Sequence, residues 1–406
     1  MAYTEKTTTS YGKKVGNSFK GIFTGIIFFL LGTIALFWNE GNFVKTKKAL
    51  NEGQGIVVEL KDNSTVKDEF NGKFVHSSGL ADTKDSLTDV FLGVKDLAIG
   101  LHRKVEYYQW VEKSKSEKKQ KLGGGEETIT TYTYQREWTS APVNSDNFKD
   151  AAYKGKNFVL AQVENKSVYA ENVSFGAYKL PEFIIHSIQE EVPVNVQMSE
   201  EEIKNLDSKL NKKQYATINS IEQTSNLSNI IHIHNHVTYL GNNTSNPQVG
   251  DVRITLVKTP PTTISVLAKV NGNTFEPFLA KNGKTISQVA QGTVNAENMF
   301  ASAHSSNSML TWAFRLVGFV LVFVGFRSMF GFLETIFRFI PFLSNLIGSG
   351  LNIILLGLGL GWSLLIISIS WLFYRPFIAI ILIGIAIGLI FLLKRKTTAP
   401  KKVVSA

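Results

Sequence analysis

GIFTGIIFFLLGTIALFW, residues 21–38, contains no charged side chain, and its reading decides the architecture. As a helix it extends about 27 Å, close to the roughly 30 Å of a bilayer's hydrocarbon core. A polar leader precedes it, and Asn39-Glu40-Gly41 follows where a signal peptidase would need small residues. The segment therefore reads as a retained anchor and not a removable signal.

Beyond Trp38 the chain stays polar until MLTWAFRLVGFVLVFVGFRSMF, residues 309–330, a second span with Arg315 near its start and Arg327 near its end. In the amphipathic piece after it, Glu334 and Arg338 stand four residues apart and can pair on one helical face. Residues 339–374 carry no charge, more than one straight span needs; Pro341, Gly348 and Gly350 are expected to break the beginning of this run. Trp371 and Tyr374 suit the aromatic belt, and Lys394-Arg395-Lys396 stops a last apolar run. The expected organisation is a leader (1–19), span one (20–38), a polar domain (39–307), span two (308–330), an interfacial cytoplasmic loop (331–345), span three (346–373), span four (376–393) and a basic tail (394–406).

Lys and Arg resist translocation, so the tail and the loop after the second span, with Arg327 and Arg338, belong in the cytoplasm. Four spans then put the N-terminus there too, in agreement with Lys13, Lys14 and Lys20, although Lys45, Lys47 and Lys48 pull the other way. The large domain comes out extracytoplasmic. Much of the formal charge of +10 sits at these membrane flanks, and no zinc-finger, RRM or KH signature is present, so no nucleic-acid partner is expected. The chain has no cysteine, which excludes disulfides and thiolate chemistry and leaves the domain to its own core.

Within the domain, LAIGLHRKVEYYQWVEK (97–113) and TITTYTYQREW (128–138) alternate with the period of strands, and SKSEKKQKLGGGEE (114–127) reads as a flexible hairpin loop between them. Further strands are expected at 55–60, 158–163, 230–240, 252–257 and 264–270. Ser199 with Glu202 forms a capping box that predicts a helix over 200–212, and Pro181 suggests another over 181–189. The fold class is α+β: a four-span α-helical integral membrane protein with a large β-rich extracytoplasmic domain between the first and second spans.

Candidate chemistry is thin. His232, His234 and His236 alternate and would share one face of a strand, where imidazoles could hold a metal ion, but no acidic residue stands near them. Alternating His and Ile equally describes a half-exposed strand. Walker A, dinucleotide, G-x-S-x-G and H-E-x-x-H signatures are missing, so neither an enzyme nor a cofactor is expected. Glycines are more telling. Gly21 and Gly25, Gly357 and Gly361, and Gly384 and Gly388 each form a G-x-x-x-G, which lets helix backbones approach within one chain or between copies.

Several short motifs share a further resemblance: Phe37-Trp38-Asn39-Glu40-Gly41, Val105-Glu106-Tyr107-Tyr108-Gln109-Trp110, Gly250-Asp251-Val252-Arg253, Ser306-Asn307-Ser308-Met309 with Thr311-Trp312, and Trp371-Leu372-Phe373-Tyr374-Arg375-Pro376. In this order the chain resembles the LUMA, or transmembrane protein 43, family. The resemblance implies four spans, a lumenal or equivalent domain, self-association, and a role in organising membrane protein complexes; in animals the compartment is the endoplasmic reticulum and inner nuclear membrane, with lamins and emerin among the partners. It supplies no catalytic residue. The missing cysteines and the long 114–127 loop fit a bacterial member in the cytoplasmic membrane better than a nuclear-envelope one. The leading expectation is a non-enzymatic, homo-oligomeric scaffold in contact with the lipid bilayer and other envelope proteins. The alternatives are a metal- or ligand-binding ectodomain, possibly hydrolytic, and a channel formed by the spans.

Overall fold

The computed structural model describes residues 2–121, 125–212, 230–337 and 341–376. Its α-helices are α1 (Tyr11–Ile56), the one-turn α2 (Glu182–Ile185), α3 (Glu200–Lys212), α4 (Ala296–Phe337) and α5 (Pro341–Tyr374). Among the described residues, α1, α4 and α5 are long and apolar enough to cross a membrane. The expected fourth span (376–393), with Gly384 and Gly388, and the tail lie outside the described residues apart from Pro376.

Helix α1 does not stop at Trp38. Its 46 residues extend about 69 Å, so its second half rises into the polar domain. There Ala49 and Leu50 are buried against Phe74, Leu267 and Phe300. Helix α4 likewise starts well before the apolar run, at Ala296, where the Asn295 side chain accepts the Asn298 N–H at 2.8 Å as an N-cap. Apolar content marks the part of a helix that meets lipid, and here both helices continue on polar sequence because the domain packs around them.

Two expectations about the connecting stretch change. The helix backbone runs on through Phe337, so most of the first part of the 331–345 loop is helical, and α5 passes through Gly348 and Gly350 without a break. Pro341 sits at the first helical position, where its missing N–H costs nothing. The Glu334–Arg338 pairing lies outside the described side chains.

The main strands are β1 (Ala2–Thr9), β2 (Phe74–Thr83), β3 (Gly100–Gln120), β4 (Glu126–Thr139), β5 (Ile231–His234), β6 (Val237–Leu240), β7 (Val252–Thr259), β8 (Thr262–Asn271) and β9 (Gln288–Gln291). One sheet runs β1–β4–β3–β7–β6–β5 with antiparallel neighbours throughout, and a second is built on β9–β8–β2. Val105, Ile254 and Leu256 from the first sheet and Val75, Val266 and Phe275 from the second join one core cluster. The domain is therefore α+β.

Several local readings are corrected. The 114–127 loop is mostly strand: β3 reaches Gln120, β4 resumes at Glu126, and Ser116 pairs with Thr130. Lys, Ser and Thr carry little hydrophobic signal, but a ladder needs only their backbone groups. Residues 158–163 form no strand. They cover the core as irregular chain, and side chains satisfy the backbone instead: Gln109 Nε2 donates to the Phe158 carbonyl at 2.7 Å and the Tyr107 hydroxyl to that of Val163. The 181–189 helix shrinks to α2. Helix α3 forms as expected, with Glu202 N–H donating to Ser199 Oγ at 3.3 Å and Ser199 N–H to Glu202 Oε2 at 2.7 Å.

One pairing was not foreseen. The N-terminal β1 lies along β4 in register from Ala2↔Thr133 to Thr9↔Glu126. Lys14 Nζ, one turn into α1, contacts Glu126 Oε2 at 2.6 Å with both side chains largely buried.

Candidate functional site

Residues 230–240 do not make one strand. Asn235 adopts φ 54°, the left-handed conformation Asn tolerates, and turns the chain between β5 and β6. His232 and His234 stay on β5 while His236 lies in the turn, so the three imidazoles do not line one face. No group of three or more His, Asp or Glu that could hold a metal ion exists among the described residues. The metal reading is therefore withdrawn: its premise was an unbroken strand.

The motif residues instead gather in two places. In the domain, β3 pairs with β7 so that Glu106 stands opposite Arg253, and their side chains meet at 2.6 Å while the Arg253 guanidinium lies 4.5 Å from the Trp138 ring. Gln109 is fully buried and bridges two loops, donating to Phe158 O and accepting from Val143 N at 2.9 Å. Trp110 packs edge-on to Tyr153 at 4.7 Å. Asp251 is buried; it accepts the Gln248 N–H at 2.8 Å and the Tyr239 hydroxyl. Burial raises the Asp251 carboxyl above its ordinary range, and burial followed by the Asp251 contact raises the Tyr239 hydroxyl. Gly250, at φ +102°, is pressed against the Phe158 ring, leaving no room for a side chain. These residues fasten loops to a sheet.

The second gathering lies where the helices leave the apolar zone. Glu40 of α1 is fully buried, and its carboxylate receives three charge-assisted hydrogen bonds. Arg315 of α4 donates from Nε to Oε1 at 2.6 Å and from Nη2 to Oε2 at 3.0 Å, the forked geometry that suits a carboxylate, and Trp371 of α5 donates from Nε1 to Oε2 at 2.8 Å. Asn39 donates to the Thr311 carbonyl at 3.1 Å, Asn307 to that of Phe43 at 3.2 Å, and Ser370 to that of Phe37 at 3.1 Å. A Cβ on Gly41 would come within 2.5 Å of the Tyr374 ring, so this glycine is what lets α5 close on α1. Arg375, before Pro376, spreads over Phe43 at 4.9 Å and Trp371 at 5.3 Å. Trp38 and Trp312 instead face outward, and the Arg315 guanidinium sits 4.6 Å from the Trp312 ring. One polar clamp thus ties three helices together.

Deeper in the bundle, glycines bring α1 and α4 together. A Cβ on Gly25 would meet the Gly325 carbonyl oxygen at 2.7 Å, and one on Gly32 the Gly318 carbonyl oxygen at 2.9 Å; Gly21 approaches the Ser328 carbonyl at 3.5 Å. The motif through Gly21 and Gly25 is therefore spent within the chain. Gly357 and Gly361 of α5 meet nothing within 4 Å among the described residues. Trp362, which sequence reasoning passed over, donates to Thr33 Oγ1 at 2.9 Å; an indole N–H inside an apolar run must find such a partner.

An open groove of about 800 Å³ lies beside the clamp, lined by Asn42, Thr46, Ser302, Ser306 and Asn307 from the helices and by His186 and Gln291 from the domain. Its walls offer hydroxyls and amides; the nearest carboxylate to His186 is Glu182, 3.8 Å from its Nε2, on a largely exposed side chain outside the lining.

The family model for transmembrane protein 43 matches residues 107–376. The human transmembrane protein 43 is 30% identical over 98% of this chain and 95% of its own length, and the rat protein is 30% identical over 94% and 91%. The transmembrane protein 43 homolog of Drosophila melanogaster is 26% identical over 87% and 89%. No solved structure matches. The matched segment holds the Arg315–Trp371 side of the clamp as well as Arg253 and the Asp251 contacts, and with the human similarity over nearly its full length, this chain belongs to the transmembrane protein 43 family.

Proposed function

We propose that this chain is a non-enzymatic membrane scaffold, one that self-associates through its helices and presents its β-rich domain to other membrane or envelope proteins. The observation that carries this reading is the clamp of Glu40, Arg315 and Trp371. It joins the three described membrane-length helices at their polar boundary, and two of them continue into the domain, so the domain is held in a fixed orientation to the bilayer. A rigidly mounted surface serves assembly. The open Gly357–Gly361 stripe on α5 offers close approach to a further helix. In this reading the chain has four spans, both termini in the cytoplasm and the domain outside it, in the bacterial cytoplasmic membrane or, in a eukaryotic host, in the endoplasmic reticulum and inner nuclear membrane. Partners are further copies of the chain and other membrane proteins; no cofactor or nucleic acid is involved.

The test is the mass of the detergent-solubilised full-length protein by light scattering. The expected result is a defined oligomer, which Gly357→Leu or Gly384→Leu shifts to smaller size while the Tm of the Gly357 variant is retained. A wild type that is strictly monomeric overturns the proposal.

A further inference from the structure

The strands β1, β4 and β3 form a three-stranded ribbon whose position is hard to reconcile with lipid. Its tip is fixed beside the start of α1 by the Lys14–Glu126 ion pair and by β1 itself. Its base is fixed in the domain, where Trp138 packs against Tyr239 and under Arg253. Along α1, Lys14 to Trp38 covers about 36 Å at 1.5 Å per residue, and this interval contains the whole apolar segment 21–38. Along β4, Glu126 to Trp138 covers about 40 Å at 3.3 Å per residue. The two lengths match. A ribbon anchored at both ends therefore runs nearly straight through the depth that α1 needs to cross the hydrocarbon.

Neither face of this ribbon suits hydrocarbon. With the two-residue period of a strand, one face of β3 presents Lys113, Lys115 and Lys119 and the other Glu112, Ser114 and Lys118. A lipid-facing barrel strand would be apolar on alternate residues. Among the described residues both outer edges are also open: β7 pairs with β3 only up to Tyr107, and no strand pairs with the far side of β1. Open backbone edges and lysines at membrane depth require water or protein around them. The described helices pack chiefly on one another and do not enclose the ribbon.

We infer that copies of this chain assemble with their ribbons turned inward, so that the β1–β4–β3 ribbons line a common water-filled lumen and the helices face lipid. The occupant of each open ribbon face is thus a second copy across the lumen, with water between. This inference rests on the self-association proposed above and adds to it a polar path for small hydrophilic solutes.

The chain has no cysteine, so single-cysteine variants and one double-cysteine variant of the full-length protein in sealed right-side-out membrane vesicles test this directly. The probes are a small sulfonated maleimide, a bulky polyethylene-glycol maleimide for sidedness, and oxidative cross-linking of Thr4→Cys with Thr131→Cys, which face each other in the register. Thr133→Cys, about 23 Å from Glu126 and so at the depth of Leu30, is expected to react with the small reagent within about tenfold of Val90→Cys on the domain surface, whereas Leu30→Cys on the lipid face reacts about 100-fold more slowly, because thiolate does not form in hydrocarbon. The Thr4–Thr131 pair is expected to cross-link, and the bulky reagent to reach Val90→Cys but not Gly12→Cys. Thr133→Cys as inert as Leu30→Cys, no cross-link, or equal access of the bulky reagent to Gly12→Cys and Val90→Cys each overturns the inference. Oligomer mass from the same vesicles separates the two proposals: a monomer removes both, and an oligomer with inert Thr133→Cys removes only this one.

Discussion

Replacing Arg315 with Leu is the sharpest perturbation of the clamp. Glu40 is fully buried and takes two of its three hydrogen bonds from Arg315, so the substitution leaves a carboxylate in a closed site with only the Trp371 N–H beside it. Removing one partner of a buried ion pair costs about 3–5 kcal/mol, because the remaining charge has lost both water and its counter-ion. At 2–4 °C per kcal/mol, the midpoint should fall by roughly 6–20 °C. Replacing the pair together, Glu40→Leu with Arg315→Met, removes both charges at similar volume and should recover most of the loss, since a buried pair is often no better than well-packed apolar side chains. The assay is thermal unfolding of the full-length protein in one detergent, followed by tryptophan fluorescence. Trp371 sits in the clamp and Trp362 packs on α1, so the signal reports the bundle. A fall below about 1 kcal/mol for Arg315→Leu, within the usual surface range, would refute the reasoning. So would a double variant as unstable as the single one.

Three more outcomes follow from the packing. Gly25→Leu should cost roughly 1–3 kcal/mol or more by forcing α1 from α4, whereas Gly357→Leu should leave the Tm almost unchanged; equal effects on Tm would show that α5 is covered as closely as α1. Asn235→Val should lower the midpoint of the domain by about 1–2 kcal/mol while Asn235→Gly retains it, because only the former resists positive φ; identical melting curves would show that the turn relaxes. The Asp251 carboxyl is raised in the fold by burial, so the stability it contributes is present below the ordinary carboxylate range and is lost as pH rises through the folded value. Asp251→Asn, which carries no charge at any pH, should therefore gain on the wild type in Tm as pH rises above the ordinary carboxylate range, and a difference constant with pH would contradict the assignment.

The sequence made the membrane helices and the capping box legible because each rests on local chemistry. Residues 21–38 and 309–330 need only their own hydropathy to be recognised, and Ser199 with Glu202 needs only its spacing. Where helices ended was not legible. The continuation of α1 to Ile56 depends on a domain that buries Ala49 and Leu50, which a window of 18 residues cannot register. The ribbon was missed for the opposite reason. Lysines, serines and threonines read as loop, yet their backbone forms a ladder from Tyr107↔Thr139 to Gln120↔Glu126. The histidine face failed on one residue, since Asn235 in the left-handed region turns one apparent strand into a hairpin.

The clamp shows how motifs scattered in sequence acquire meaning. Asn39-Glu40-Gly41, Asn307 to Arg315, and Trp371 to Arg375 lie on three helices separated by up to some 330 residues, and nothing local marks Glu40 as more than a charge after a membrane exit. Assembly gives each a distinct task. Glu40 supplies the acceptor, Arg315 and Trp371 the donors, and Gly41 the gap that Tyr374 fills. A carboxylate at the end of an apolar segment costs little if it faces water, so a fully buried one must be held by a completed site. That requirement couples the helices to each other: α1 cannot bury Glu40 unless α4 and α5 are both in place. The same three helices set the depth of Lys14, and through Glu126 the depth of the ribbon. Loosening the clamp should therefore shift the ribbon as well, and Arg315→Leu should lower the yield of the Thr4→Cys/Thr131→Cys cross-link although neither cysteine is near Arg315. An unchanged yield would mean that the ribbon is positioned by the domain alone.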